Sequence, residues 1–162
     1  MHLIGALFVQ DQLNKKHVRV LDVGCGTGFT TSVFALAAKD PEVIVGIDHI
    51  EDFIERANRL TKWSMPELTH RLTFVHQDAR LGHPAHAPYD VIHLGAAAPS
   101  DASLALLLSN LRVGGQLIGP VGEYGSQEFV LFTRTASSFE RDSLFGVRYT
   151  MLQNKEEQLS KY

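Results

Sequence analysis

Residues 20–28 read VLDVGCGTG, an apolar run carrying one acid, Asp22, and ending in three glycines at alternate positions. The β-branched and apolar residues from Val18 to Val23 suit a buried central strand. A helix is predicted to start in the glycine loop and run to about Lys39, where Asp40 and Pro41 stop it. Glycines between a strand and a helix let a ligand lie against bare backbone. Two familiar loops fit less well. A triphosphate loop needs a lysine and then Ser or Thr after its last glycine, but Gly28 is followed by Phe29. A dinucleotide fingerprint needs glycine at its sixth position, which counted from Gly24 is again Phe29; that weakens the reading without excluding it.

Outward from this loop, strand-like and helix-like segments alternate. Residues 3–14 read as one helix with Leu3, Ile4, Leu7 and Phe8 on a common face. Further strands are predicted at 43–48, 72–76, 90–94 and 116–118, with a helix over 50–62 that carries Ile50, Phe53, Ile54 and Ala57. Leu104, Leu107, Leu108 and Leu111 form a helical stripe entered through Ser100 or Asp101, with Gly114 and Gly115 as its terminators. Strands at 128–133 and 144–149 should pair antiparallel at one sheet edge, before a polar tail from Asn154. The fold class expected is α/β, a doubly wound, mainly parallel sheet with an antiparallel edge.

The chain has 162 residues, 44% of them hydrophobic, which fits one compact domain over 1–162. A formal charge of -3 gives no basic field for nucleic acid, so none is expected as a partner. Cys25 is the only cysteine, which excludes an internal disulfide and suits a reducing, cytoplasmic location. No segment has the length of a membrane span, and MHLIGALFV lacks the basic flank and cleavage site of a signal peptide.

Acids mark the strand ends. Asp48 closes the second strand about 20 residues past the loop, where a carboxylate accepts from both hydroxyls of a ribose. Asp78, in HQDAR after the third strand, could accept from an exocyclic amine such as that of adenine, and Asp22 stands just before the loop. Three carboxylates would repel a pyrophosphate and suit a cationic nucleoside. S-adenosylmethionine, with its ribose, adenine, ammonium and sulfonium, matches that pattern.

LDVGCGTG, VGIDHI, QDARLG, APYDVIHLGAAAP and LRVGGQLIGPVG, in this order, closely resemble the protein-L-isoaspartate (D-aspartate) O-methyltransferase family over Met1 to Tyr162. The first three segments recur in many S-adenosylmethionine enzymes, whereas IDHI with YDVIHLGAAAP and GPVG is specific to this family. The resemblance implies the Rossmann-like methyltransferase fold and methyl transfer from S-adenosylmethionine to isoaspartyl and D-aspartyl carboxyls in damaged proteins and peptides. By it, Asp22, Gly24, Cys25, Gly26 and Gly28 would surround the methionine part of the cofactor. Asp48 and His49 would meet the ribose, Asp78 and Ala79 the adenine, with His2 nearby and Gln158 folded back over the ligand. Ala97, Ala98 and Pro99, and Pro120, Val121 and Gly122, are the substrate-side candidates. No metal is implied, and a monomer is expected.

This sequence also departs from the family. Members carry an upstream portion ending in a Ser-Ala-Pro-His-Met-His-Ala motif whose serine lies at the transfer site. This chain begins within the motif at Met1 and His2, with Leu3 where Ala is usual, so it reads as an N-terminally shortened domain with no assigned catalytic residue. Cys25 where a small hydroxyl residue is common, and Gln153 where Thr is common, are milder changes. Two alternatives stay open: a non-catalytic relative that holds S-adenosylmethionine or a partner without turnover, and a nicotinamide oxidoreductase. Among the remaining residues, His83 and His86 read as a solvated loop, Trp63 as partial core, Cys25 as a small residue close to a ligand, and His93 as a satisfied core histidine.

Overall fold

The computed structural model describes residues 3–153 and Glu156. Seven strands form one sheet: β1 Lys16–Val23, β2 Asp40–Asp48, β3 Leu72–His76, β4 Tyr89–Leu94, β5 Leu111–Val121, β6 Gln127–Arg134 and β7 Phe139–Val147. Their order is β3-β2-β1-β4-β5-β6-β7. The strands from β3 to β5 are parallel, and β6 and β7 complete an antiparallel meander on the far edge. The sheet is therefore doubly wound, as the alternation of apolar strands and helices leads one to expect.

Alternation along β1 divides the core. Val18 and Val20 face one layer with Phe34 and Ala35 of α3 (Phe29–Ala37), beside α1 (Leu3–Phe8) and α2 (Gln10–Leu13). Leu21 and Val23 face the other with Leu107 and Leu108 of α5 (Ala105–Ser109). The helix α4 (Glu51–Ser64) returns the chain from β2 to β3, with Ile54 and Ala57 buried. Ser100 caps a 3-10 turn before α5 through a capping box with Ser103, which bears out the cap expected there.

Several local expectations are corrected. Residues 3–14 form two short helices broken at Val9, and among the side chains described Ala6, Val9 and Leu13 are the buried apolar ones, while those of Leu3 and Ile4 lie outside the described set. Leu7 and Phe8 point outward, 72% and 42% exposed. The reason is Gly5, where a side chain would lie 3.2 Å from the His93 ring, so the helix seats its smallest residues against the sheet. Pro41 sits inside β2, because that part of the strand pairs only with β1 and β3 joins from Ile44 onward. The stripe Leu104–Leu111 also ends early. Leu111 opens β5, and Gly114 and Gly115 lie within that strand, at a bulge where Tyr89↔Leu111 is followed by Val91↔Gln116. The last strand starts at Phe139, since the first five residues of this edge strand are exposed and tolerate Glu140, Arg141 and Asp142. Trp63 is 83% exposed and covers no core.

Phe34→Ala should cost about 3–5 kcal/mol in urea unfolding with an unchanged m-value, because Phe34 is fully buried. Trp63→Ala should stay within about 0.5 kcal/mol of the parent.

Candidate functional site

The chain runs outward from β1 through β2 to β3 and then crosses back to β4 on the other side of β1, and ligands of open sheets bind at such reversals, outside the carboxyl ends of the strands. A cleft of about 330 Å³ opens at this point. One wall comes from Gly24, Gly26, Asp48, His49, Phe53 and Ala79. The other comes from Gly95, Ala96, Tyr124 and the segment 150–153.

The glycine loop is pinned to the end of β2. The backbone N–H groups of Gly24 and Cys25 both donate to the Ile47 carbonyl, at 2.9 and 3.1 Å. Gly26 N–H donates to Asp48 Oδ2 at 3.0 Å, and Ile50 N–H to Asp48 Oδ1 at 3.0 Å. Each Asp48 oxygen thus spends one lone pair on backbone and keeps another for a ligand hydroxyl. Gly24 and Gly26 adopt φ of +71° and +54°, which glycine reaches without strain. Gly95 closes the floor: a Cβ there would lie 2.5 Å from the Gly24 carbonyl oxygen.

Other expected cofactor residues stand behind this surface. Asp22 is fully buried, with Oδ2 accepting from the Thr31 hydroxyl at 2.6 Å and Oδ1 2.7 Å from His93 Nδ1. It supports the loop from beneath and does not reach the cleft. A Cβ on Gly28 would meet the Phe74 ring at 2.7 Å, so this glycine serves the packing of α3. Cys25 is buried, and burial, reinforced by the Asp22 and Asp48 charges, pushes its thiol far above the ordinary range. Asp78 lies beside the cleft, in an ion pair with Arg80 at 2.6 Å. Hydrogen bonds from Arg80 hold its carboxyl below the usual range, and only the adjacent Ala79 lines the cleft. His2 and Gln158 lie outside the described residues.

The substrate-side candidates are brought together by strand ends but do not line the cleft. Ala98 N–H donates to the Pro120 carbonyl at 3.0 Å, and Gly122 N–H to the Ala98 carbonyl at 2.8 Å, with Val121 bridged to Ala98. Pro99 is exposed at the end of this ladder. Ala97 N–H donates to the Thr150 carbonyl and its own carbonyl accepts from Leu152 N–H, which brings residues 150–153 into the second wall. Sequence reasoning missed that segment, together with Gly95, Ala96, Tyr124 and the site role of Phe53. The hydrogen bonds to Ala97 come from residues more than 50 positions away, and no local periodicity signals them.

Two histidine readings change or sharpen. His83 is buried and not solvated, its Nδ1 2.8 Å from Gln77 Oε1, because Tyr89 donates its hydroxyl to the His83 carbonyl and draws the loop inward. His93 is a fully buried core histidine, partnered at Nδ1 by Asp22. Among the described residues no cluster of three or more His, Cys, Asp or Glu could hold a metal ion, and no helix is long and apolar enough to cross a membrane.

Comparison with known proteins gives a consistent set of relatives. The family described as protein-L-isoaspartate (D-aspartate) O-methyltransferase matches residues 2–157. A wheat (Triticum aestivum) protein-L-isoaspartate O-methyltransferase is 34% identical over 98% of this chain and 69% of its own length. Protein-L-isoaspartate O-methyltransferase 1 of Arabidopsis thaliana is 36% identical over 91% of this chain and 66% of its own. The chain thus spans about two thirds of these curated relatives, and 52% of the second Arabidopsis enzyme. A Plasmodium falciparum crystal structure described as a protein-L-isoaspartate O-methyltransferase, in complex with S-adenosyl-L-homocysteine, superposes with a TM-score of 0.83 at 23% identity. That match covers 96% of this chain and 74% of that one, and shares the fold.

Gly95→Ala should destabilise by about 1–3 kcal/mol in denaturant unfolding, as backbone cannot yield to the added methyl. The Cys25 thiol should react with a disulfide reagent at pH 8 only as fast as the chain unfolds. Because its folded pKa lies above the ordinary 9.0, the unfolded chain releases that proton first. Stability is therefore full below about pH 9 and declines as pH rises past it, a decline that Cys25→Ala should reduce in midpoints measured from about pH 8 to 10.

Proposed function

Because the chain belongs to the protein-L-isoaspartate (D-aspartate) O-methyltransferase family, we propose that it binds S-adenosylmethionine in this cleft and methylates isoaspartyl and D-aspartyl carboxyls of damaged proteins and peptides. The observation that carries the reading is Asp48, a carboxylate fixed by two backbone N–H groups with lone pairs left over, on the wall formed by the glycine loop. The residues fit the ligand: Asp48 accepts from ribose hydroxyls, while His49, Phe53 and Ala79 offer the largely apolar surface an adenine needs. Gly24, Gly26 and Gly95 leave room for the methionine part, and Asp22, Cys25 and Gly28 shape the loop from behind. When bound, the cofactor supplies a methyl group activated by its sulfonium.

The chain needs no general base for this chemistry. An isoaspartyl carboxyl has a pKa of roughly 4, so at neutral pH it is already the nucleophile. What remains is orientation and exclusion of water, which together can lower a barrier by several kcal/mol. Met151 and Leu152 supply apolar cover on the second wall. The methyl ester then loses methanol as the following backbone nitrogen attacks it, giving a succinimide that opens in part to the normal aspartyl linkage. This is a repair reaction on proteins and peptides, and a cytoplasmic setting agrees with the lone, buried Cys25.

Calorimetric titration should show binding of S-adenosylmethionine and none of NAD, and an isoaspartyl peptide should gain a methyl ester that its normal aspartyl twin does not. Asp48→Asn should weaken cofactor binding by about tenfold or more, the scale of a hydrogen bond to a charged group. Binding of NAD in place of S-adenosylmethionine, or equal methylation of both peptides, would overturn the reading.

A further inference from the structure

A cation that the proposed chemistry has not used stands beside the second wall of the cleft, against a residue that lines it. Tyr124, at the tip of the β5–β6 hairpin, lines the cleft and is 70% exposed. The guanidinium of Arg148 stands over its ring, 5.7 Å from the centroid, in cation–π geometry. This position is built. Gln127 is buried and clamps the backbone next to Arg148, its amide donating to the Tyr149 carbonyl at 3.1 Å and its Oε1 accepting from Tyr149 N–H at 2.6 Å. Two residues further on, Thr150 is tied to Ala97. Arg148 therefore belongs to a fixed rim and not to a wandering tail.

Its charge is also unspent. Among the described residues Arg148 has no ion pair with a carboxylate, a state it shares with Arg56, Arg59, Arg71 and Arg134; what sets it apart is its place over Tyr124 beside the cleft. The ionisable groups on the opposite wall are Asp48 and His49, and Glu123 is exposed beside Tyr124 on the same hairpin. With a net charge of -3, the chain as a whole repels an acidic peptide, so a guanidinium without a carboxylate partner, held on Tyr124 beside the cleft, offers a local attraction. An isoaspartyl carboxyl that reaches the bottom of the cleft leaves its neighbours in the peptide at the rim.

We propose that Arg148, stacked on Tyr124, selects isoaspartyl substrates that carry a further acidic side chain beside the damaged residue. The inference rests on the isoaspartyl reading above. Arg148 acts as a positioning residue, since it meets the flank of the peptide and not the reacting atoms. An exposed rim charge works mainly on encounter and is screened by salt.

The test uses three isoaspartyl peptides that differ only in one neighbour, Glu, Gln or Lys. Methyl ester formation gives kcat and KM, and fluorescence anisotropy with S-adenosylhomocysteine present gives affinity without turnover. The Glu peptide should have a KM roughly three- to fivefold below that of the Lys peptide at low salt, with similar kcat, converging toward physiological salt and above. Arg148→Glu should invert the ranking, and Arg148→Lys should keep its direction, which a merely structural role would not do. Equal ranking of the three peptides by the parent, or an unchanged ranking in Arg148→Glu, overturns the proposal while methylation itself stands. Failure of all three peptides to bind or react, with S-adenosylmethionine still bound, overturns the isoaspartyl reading and this inference with it.

Discussion

Gly95 approaches Gly24 so closely that one added methyl would fall 2.5 Å from the Gly24 carbonyl oxygen. This contact between two backbones lets the loops after β1 and β4 part at the reversal of the sheet and still share one floor. The glycine loop then has only one direction in which to lean, toward β2, where Ile47 and Asp48 receive its N–H groups. The cleft is the space left above that arrangement.

Asp22 and Asp48 show how the same side chain takes opposite roles by position. Asp22 lies inside β1 and faces the α3 layer, where Thr31 and His93 absorb both its oxygens in a dry interior. Removing a partner there would leave a buried charge or polar group uncompensated, so this group of residues supports the shape of the site without lining the cleft. Asp48 ends its strand, and two backbone N–H groups hold it while part of its surface still meets the cleft. Fixed carboxylates of this kind can receive a ligand without first being reorganised.

The antiparallel edge has a purpose beyond closing the sheet. The hairpin β5–β6 presents Tyr124, and the segment after β7 returns to Ala97 beyond β4, so that Tyr124 and residues 150–153 complete the second wall, with Arg148 over the Tyr124 ring. The first half of β7 is exposed on both faces and needs no apolar alternation, while Leu144, Phe145 and Val147 pack toward the core, and the strand's position depends on pairing with β6.

Much was legible in the sequence. The doubly wound sheet, the glycine loop, the acid at the end of β2 and the capped turn at Ser100 all follow from local rules of periodicity, φ preference and capping, which a short stretch carries within itself. Hydrogen bonds and close contacts across the sheet decided the rest. The outward turn of Leu7 and Phe8 depends on Gly5 meeting His93, the retirement of Asp22 from the cleft on Thr31 and His93, and the second wall on Ala97 pairing with residues 150–152. Each of these joins residues far apart in the chain, and whether a side chain faces ligand or core is set by that packing, which local sequence does not encode.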